Sequence, residues 1–72
     1  METLDLHGIP HYQVRNDIIR KIEEFWESNT EIVFITGNSQ PMKNIVIEIL
    51  GEYKLEYQDG NPFNHGYIKT TV

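Results

Sequence analysis

Leu4-Asp5-Leu6-His7-Gly8 alternates apolar and polar residues and then stops at a glycine. Alternation at period two marks a strand with one buried face. Straight after it, the apolar spacing changes to that of a helix. The same succession follows further on, where an apolar run ends at Thr36-Gly37-Asn38-Ser39 and a second helical pattern takes over. Two strand-to-helix units in a chain of 72 residues leave few folds open.

The first strand is predicted over residues 3–7, with Leu4 and Leu6 toward a core and Asp5 and His7 sharing the other face. Ile9-Pro10-His11 makes the turn into a helix, where the missing N–H of proline is no loss. From about His11 to Glu27, the residues Val14, Ile18, Ile22, Phe25 and Trp26 share one stripe. Trp26 reads as an anchor at the core or its rim, and Ser28-Asn29-Thr30 as the stop. Glu31 to Thr36 is the second strand. Its continuous run Ile32-Val33-Phe34-Ile35 predicts a strand that is central or covered on both sides.

The second helix is predicted from about Pro41 to Leu50, with Met42, Ile45, Val46, Ile49 and Leu50 as its stripe. Ser39 or Gln40 is the expected N-cap, Pro41 the first helical residue and Gly51 the C-terminal cap. Lys54 to Gln58 alternates as a third strand, with Leu55 and Tyr57 on one face. Asp59 to Gly66 reads as a long loop of turn residues. Tyr67 to Val72 alternates again as the fourth strand.

The order is β-α-β-α-β-β. Right-handed crossovers make the first three strands parallel and leave the last antiparallel. The expected class is α/β, as an α+β two-layer sandwich: a four-stranded mixed sheet with both helices on one face. Residues 1–72 form one domain. Thr3, Asp5, His7, Tyr67, Lys69 and Thr71 then lie on the open face.

Composition narrows the setting. A chain this short buries only about 60% of its unfolded surface, so two layers are what it can build. It has no cysteine, which removes disulfides and thiolate metal sites. No apolar run reaches the roughly 18 residues of a membrane span. The start Met1-Glu2-Thr3 enters a strand at once, unlike a signal peptide. A soluble, cytoplasmic protein is expected. The net charge of −5 counts against a generic nucleic-acid binder, whose footprint is usually basic.

Parallel neighbours end at the same edge of a sheet, so Asp5-His7-Gly8 is expected beside Thr36-Gly37-Asn38-Ser39. The second loop precedes a helix N-terminus, whose free N–H groups and dipole favour an anion. Lys43, one turn into that helix, adds a positive charge. His7 suits general acid–base work near neutrality, with Asp5 orienting the ring or raising its basicity. Together they make a minimal set for phosphodiester cleavage. Lys43, Lys54 and Lys69 are expected to form a small basic patch, with Arg15 near the first helix start. Tyr67 on the open face is placed either to stack a base or to pack across strands. A strand-to-helix turn separates His7 from His11, so no metal site is expected there.

These residues carry a resemblance. Leu4-Asp5-Leu6-His7-Gly8 resembles the LDLHG signature of small MutS-related (Smr) domains. Thr36-Gly37-Asn38-Ser39 is similar to that family's second motif, written HGxG or TGxG. Asn64-His65-Gly66-Tyr67-Ile68-Lys69-Thr70-Thr71-Val72 is similar to its glycine-containing loop and final strand. The resemblance runs over nearly the whole chain. It implies a fold like the C-terminal domain of bacterial translation initiation factor three, with strand order 1-2-4-3. It also implies an endonuclease that nicks DNA or cleaves RNA, in some members on ribosomes. By that resemblance Asp5 and His7 are catalytic, and Thr36, Gly37 and Asn38 hold a backbone phosphate. Gly8, Ser39, Lys43, His65 and Lys69 complete the set expected to touch nucleic acid. Ser39 departs from the usual closing glycine of the second motif, Thr36 supplies no second imidazole, and the chain is shorter and more acidic than most members. Whether a divalent ion such as Mg²⁺ is needed is left open. The alternative is a non-catalytic module that keeps the fold and docks on nucleic acid, a ribosome or a protein.

Overall fold

The computed structural model describes Met1–Val72. Its elements are β1 (Glu2–Asp5), α1 (His11–Glu24), β2 (Glu31–Ile35), α2 (Gln40–Glu52), β3 (Tyr57–Asn61) and β4 (Asn64–Thr71). The four strands form one mixed sheet in the order β1-β2-β4-β3. β1 and β2 are parallel, while β4 runs antiparallel to both β2 and β3. Both helices cover one face, so the expected two-layer α+β class is the one observed. No helix is long and apolar enough to cross a membrane.

One face of the sheet and one stripe of each helix make the core. Val14, Ile18 and Ile22 come from α1, and Met42, Val46, Ile49 and Leu50 from α2. Leu6, Ile32, Phe34, Ile68 and Val72 come from the strands and their ends. β2 is central, but it is covered on one face only: Ile32 and Phe34 are buried, and Val33 and Ile35 are half-buried on the open face. α1 stops three residues short of its expected end. Glu27 and Asn29 take positive φ, and Phe25 is already the cap. Trp26 packs outside the core on Tyr53, with ring centroids 5.4 Å apart. The Tyr53 hydroxyl donates to Glu23 at 3.2 Å. Burial, and then this bond to a carboxylate, raises the Tyr53 phenol above its ordinary pKa.

α2 begins as expected at Ser39, whose Oγ accepts from the Met42 N–H at 3.3 Å. It ends differently. Gly51 lies inside the helix, and the left-handed residue is Lys54, with φ 57. Leu55 N–H donates to the Leu50 carbonyl at 2.9 Å, and Lys54 N–H to Gly51 at 3.1 Å. These are the two bonds of a Schellman motif. Leu55 packs on the core from just past the helix. Its apolar character belongs to helix termination, not to strand alternation.

The third strand is displaced for that reason to Tyr57–Asn61, three residues beyond the predicted Lys54–Gln58. Asp59-Gly60-Asn61 is strand, not loop. The connection to β4 is the two-residue turn Pro62-Phe63, pinned by Asn61 Oδ1, which accepts from the N–H groups of Phe63 and Asn64, each at 2.8 Å. The register shifts at Gly60, a bulge. Gly60 has φ 64, and a Cβ there would lie 2.8 Å from the Asn64 carbonyl oxygen and from His65 Cα.

Two substitutions test this reading of the backbone. Left-handed backbone costs a side chain about 1–2 kcal/mol, and glycine gives back about 0.5–1 kcal/mol as unfolded-state entropy. Lys54→Gly should therefore raise stability by about 0.5–1 kcal/mol, read as a higher urea midpoint at constant slope. Gly60→Ala combines the same strain with a clash against backbone and should cost about 2 kcal/mol or more in the same measurement.

Candidate functional site

The parallel ends of β1 and β2 meet the start of β4 at one edge of the sheet. Asp5, Ile35 and Tyr67 stand side by side across these three strands on the open face. His7, the Gly37-Asn38 loop and His65-Gly66 lie just beyond that row. The loop is tied to β4: the Gly66 carbonyl accepts from both Thr36 N–H at 2.9 Å and Gly37 N–H at 3.0 Å. A Cβ on Gly66 would touch Gly37 Cα at an ordinary 3.5 Å and press more closely, at 3.2 Å, on Asn64 Oδ1.

At the end of β1, Leu6 N–H still reaches the Ile35 carbonyl at 2.9 Å, and Ile9 N–H then closes a turn on Leu6 at 3.1 Å. Gly8 takes φ 83 in that turn, the third position of a type II turn. Asp5 Oδ1 accepts from the backbone N–H of His7 at 2.9 Å. The carboxylate thus holds the turn that carries His7. It makes no hydrogen bond to the imidazole, contrary to the ring-orienting role expected of it. Both side chains are exposed.

The second loop is also partly committed to structure. Thr36 is 3% exposed, and its hydroxyl donates to the Gly37 carbonyl at 2.9 Å. It is therefore turned away from any phosphate, which corrects the expectation for Thr36. Gly37 N–H points inward to Gly66. Ser39 Oγ is occupied as the helix cap. The N–H groups of Asn38, Ser39 and Gln40 have no partner in the protein, and Pro41 has none to offer. These three donors are what the loop presents to an anion.

The expected cations are engaged elsewhere. Lys43 is 7% exposed, and its Nζ lies 2.7 Å from Asp59 Oδ1. Lys69 sits mid-sheet and pairs with Glu31 at 3.7 Å, toward the opposite edge. Arg15 donates to both carboxylate oxygens of Glu52, at 2.7 and 2.8 Å. Lys54 and Lys69 do share a surface depression of about 440 Å³, with Glu56, Tyr57 and Gln58. It lies on the far half of the sheet from His7, so no basic patch forms at the site. Tyr67 is half-buried and its hydroxyl accepts from Asn61 Nδ2 at 3.1 Å, which makes it a cross-strand partner.

A different charge pattern takes the place of that patch. All eight glutamates, Glu2, Glu23, Glu24, Glu27, Glu31, Glu48, Glu52 and Glu56, occupy strand starts, the later half of a helix or the segment after one. Those positions share the amino edge of the sheet. The three histidines, His7, His11 and His65, all stand at the carboxyl edge. Neither helix has an acid in its first turn. The signal was present in the sequence as glutamates grouped late in each strand–helix unit. Comparison with protein-family models, curated proteins and solved structures returned no match.

The Lys43–Asp59 pair can be tested apart from any ligand. Lys43→Met keeps the buried stem and leaves Asp59 to water, so it should cost under about 1 kcal/mol. Asp59→Ala strands a buried ammonium and should cost about 2–3 kcal/mol in denaturant unfolding. If Lys43→Met instead abolished anion binding with the fold intact, the structural role assigned to Lys43 would be wrong.

Proposed function

We propose that this chain is a small MutS-related domain that cleaves a phosphodiester backbone at the carboxyl edge of its sheet. One observation carries the reading: His7, His65 and the unpartnered N–H groups of Asn38, Ser39 and Gln40 converge on an edge from which the glutamates are excluded. The net charge of −5 weighs less against a polyanion at this edge, because the eight glutamates stand at the other end and Asp5 is the exposed carboxylate that remains beside His7. The motif resemblance at Leu4–Gly8 and Thr36–Ser39 supports the same assignment.

His7 is the proton-transfer group. It takes the proton of the attacking water or hydroxyl as the new P–O bond forms, and returns it to the leaving oxygen as the old P–O bond breaks. The Asn38, Ser39 and Gln40 amides hold the non-bridging oxygens, helped by the α2 dipole. Asp5 acts through His7, by holding its backbone, and is a positioning residue. No group of three or more His, Asp or Glu side chains is placed to hold a metal ion. Mg²⁺ is commonly bound by one or two carboxylates together with substrate phosphates, and Asp5 Oδ2 is the protein atom that would meet it.

The ion pairing of Lys43, Lys69 and Arg15 leaves few free cations for phosphates and favours a second reading, a non-catalytic module of the same fold that docks on a protein. Cleavage of RNA and supercoiled DNA, with and without Mg²⁺, separates the two. On the nuclease reading His7→Ala loses about 10²–10⁴-fold in rate. Asp5→Asn keeps the acceptor for the His7 N–H and should stay within about tenfold of wild type, whereas Asp5→Ala should fall further. Equal losses in Asp5→Asn and Asp5→Ala would give the carboxylate charge a direct part. Cleavage that survives His7→Ala would rule the assignment out.

A further inference from the structure

Phe63 is 97% exposed and Tyr12 84% exposed. Neither contributes to the core. Phe63 occupies the Pro62-Phe63 turn, which Asn61 holds with two hydrogen bonds, so the ring is displayed on a fixed support. Tyr12 is the second residue of α1. Both rings stand at the carboxyl edge, one beyond β3 and the other beyond the end of β1. Three strand spacings, about 14 Å, separate those two ends of the sheet. His7, Asn38 and His65 lie at the same edge.

No glutamate stands at this edge, and the lysines and arginine expected there are paired with acids. Ammonium–phosphate contacts therefore cannot carry most of the affinity. What the edge offers instead is two exposed aromatic side chains, with imidazoles and free amides at the same edge. A duplex keeps its base faces stacked within the helix. An unpaired strand exposes them, and stacking on an aromatic side chain suits any base.

We propose that this edge selects an unpaired nucleic-acid strand, with Phe63 and Tyr12 stacking on bases while the His7 edge meets the backbone between them. The inference rests on the phosphodiester reading above and names its substrate class. Binding should show a shallow salt dependence, because few phosphates are neutralised.

The test is fluorescence anisotropy with a labelled oligouridylate and a labelled RNA duplex, run beside the cleavage assay. Wild type should bind the single strand about tenfold or more tighter than the duplex. Phe63→Ala should weaken single-strand binding about tenfold, Phe63→Trp should restore it, and Tyr12→Ala should weaken it in the same direction. Duplex binding should not move in any of them. Full exposure of Phe63 means that these variants keep the fold. Equal affinity for strand and duplex, or a Phe63→Ala protein that binds as wild type, would overturn the proposal. If His7-dependent cleavage persisted in that case, the nuclease reading would stand alone. Absence of binding to either probe would likewise overturn the proposal, and His7-dependent cleavage of supercoiled DNA in that case would leave the nuclease reading standing.

Discussion

Strand β2 is hydrogen-bonded on both sides, and the placement of everything else follows from it. Its Ile32 and Phe34 side chains are fully buried, which fixes the face the helices must cover. Pairing with β1 brings His7 to one side of its carboxyl end, and pairing with β4 brings His65 to the other. The loop that leaves it is fastened back by two amides on the single Gly66 carbonyl. A slip of one residue in β2 would turn Val33 and Ile35 inward and carry Phe34 to the open face. The cost of that slip holds the edge in register.

Within that frame, local patterns were readable where one periodicity acted alone. Val14, Ile18 and Ile22 are buried as the helical spacing requires, and Ser39 caps α2 as its residue type suggests. The reading failed where a residue served two patterns. Leu55 looks like a strand residue because it alternates with Tyr57, yet it seals the end of α2. Lys54 rather than Gly51 takes the left-handed position because the closing bonds count back from Leu55 to Leu50. β3 is an edge strand with little burial, so nothing in its pattern specifies its bounds strongly.

The site divides in the same way. That a carboxylate, an imidazole and a glycine end β1 beside a second glycine loop is legible from order and alternation. The partner of each side chain is not. Asp5 turns to its own backbone because the turn geometry offers the His7 N–H, and such local bonds compete with side-chain pairs. Lys43 finds Asp59 through a crossover, a long-range contact that no local window contains. The segregation of glutamates lies between these cases. It also opposes the helix dipoles, since acids near a helix C-terminus are unfavourable by a few tenths of a kcal/mol each. The chain carries that cost in a fold of small size, and in return one edge stays clear of glutamates, with Asp5 the carboxylate kept beside His7.

The bulge in β3 has a consequence for how these molecules behave in a crowd. An open sheet has two raw borders, and each is a template on which another chain can add a strand. Here β1 offers only four residues. β3 offers five, but its ladder is broken at Gly60, and Gln58 Nε2 already occupies the Gly60 carbonyl at 2.9 Å. Neither border presents a long, flat row of free amides. The tight fit of Gly60 against β4 thus also makes the β3 border a poorer template for an added strand than a smooth edge would be.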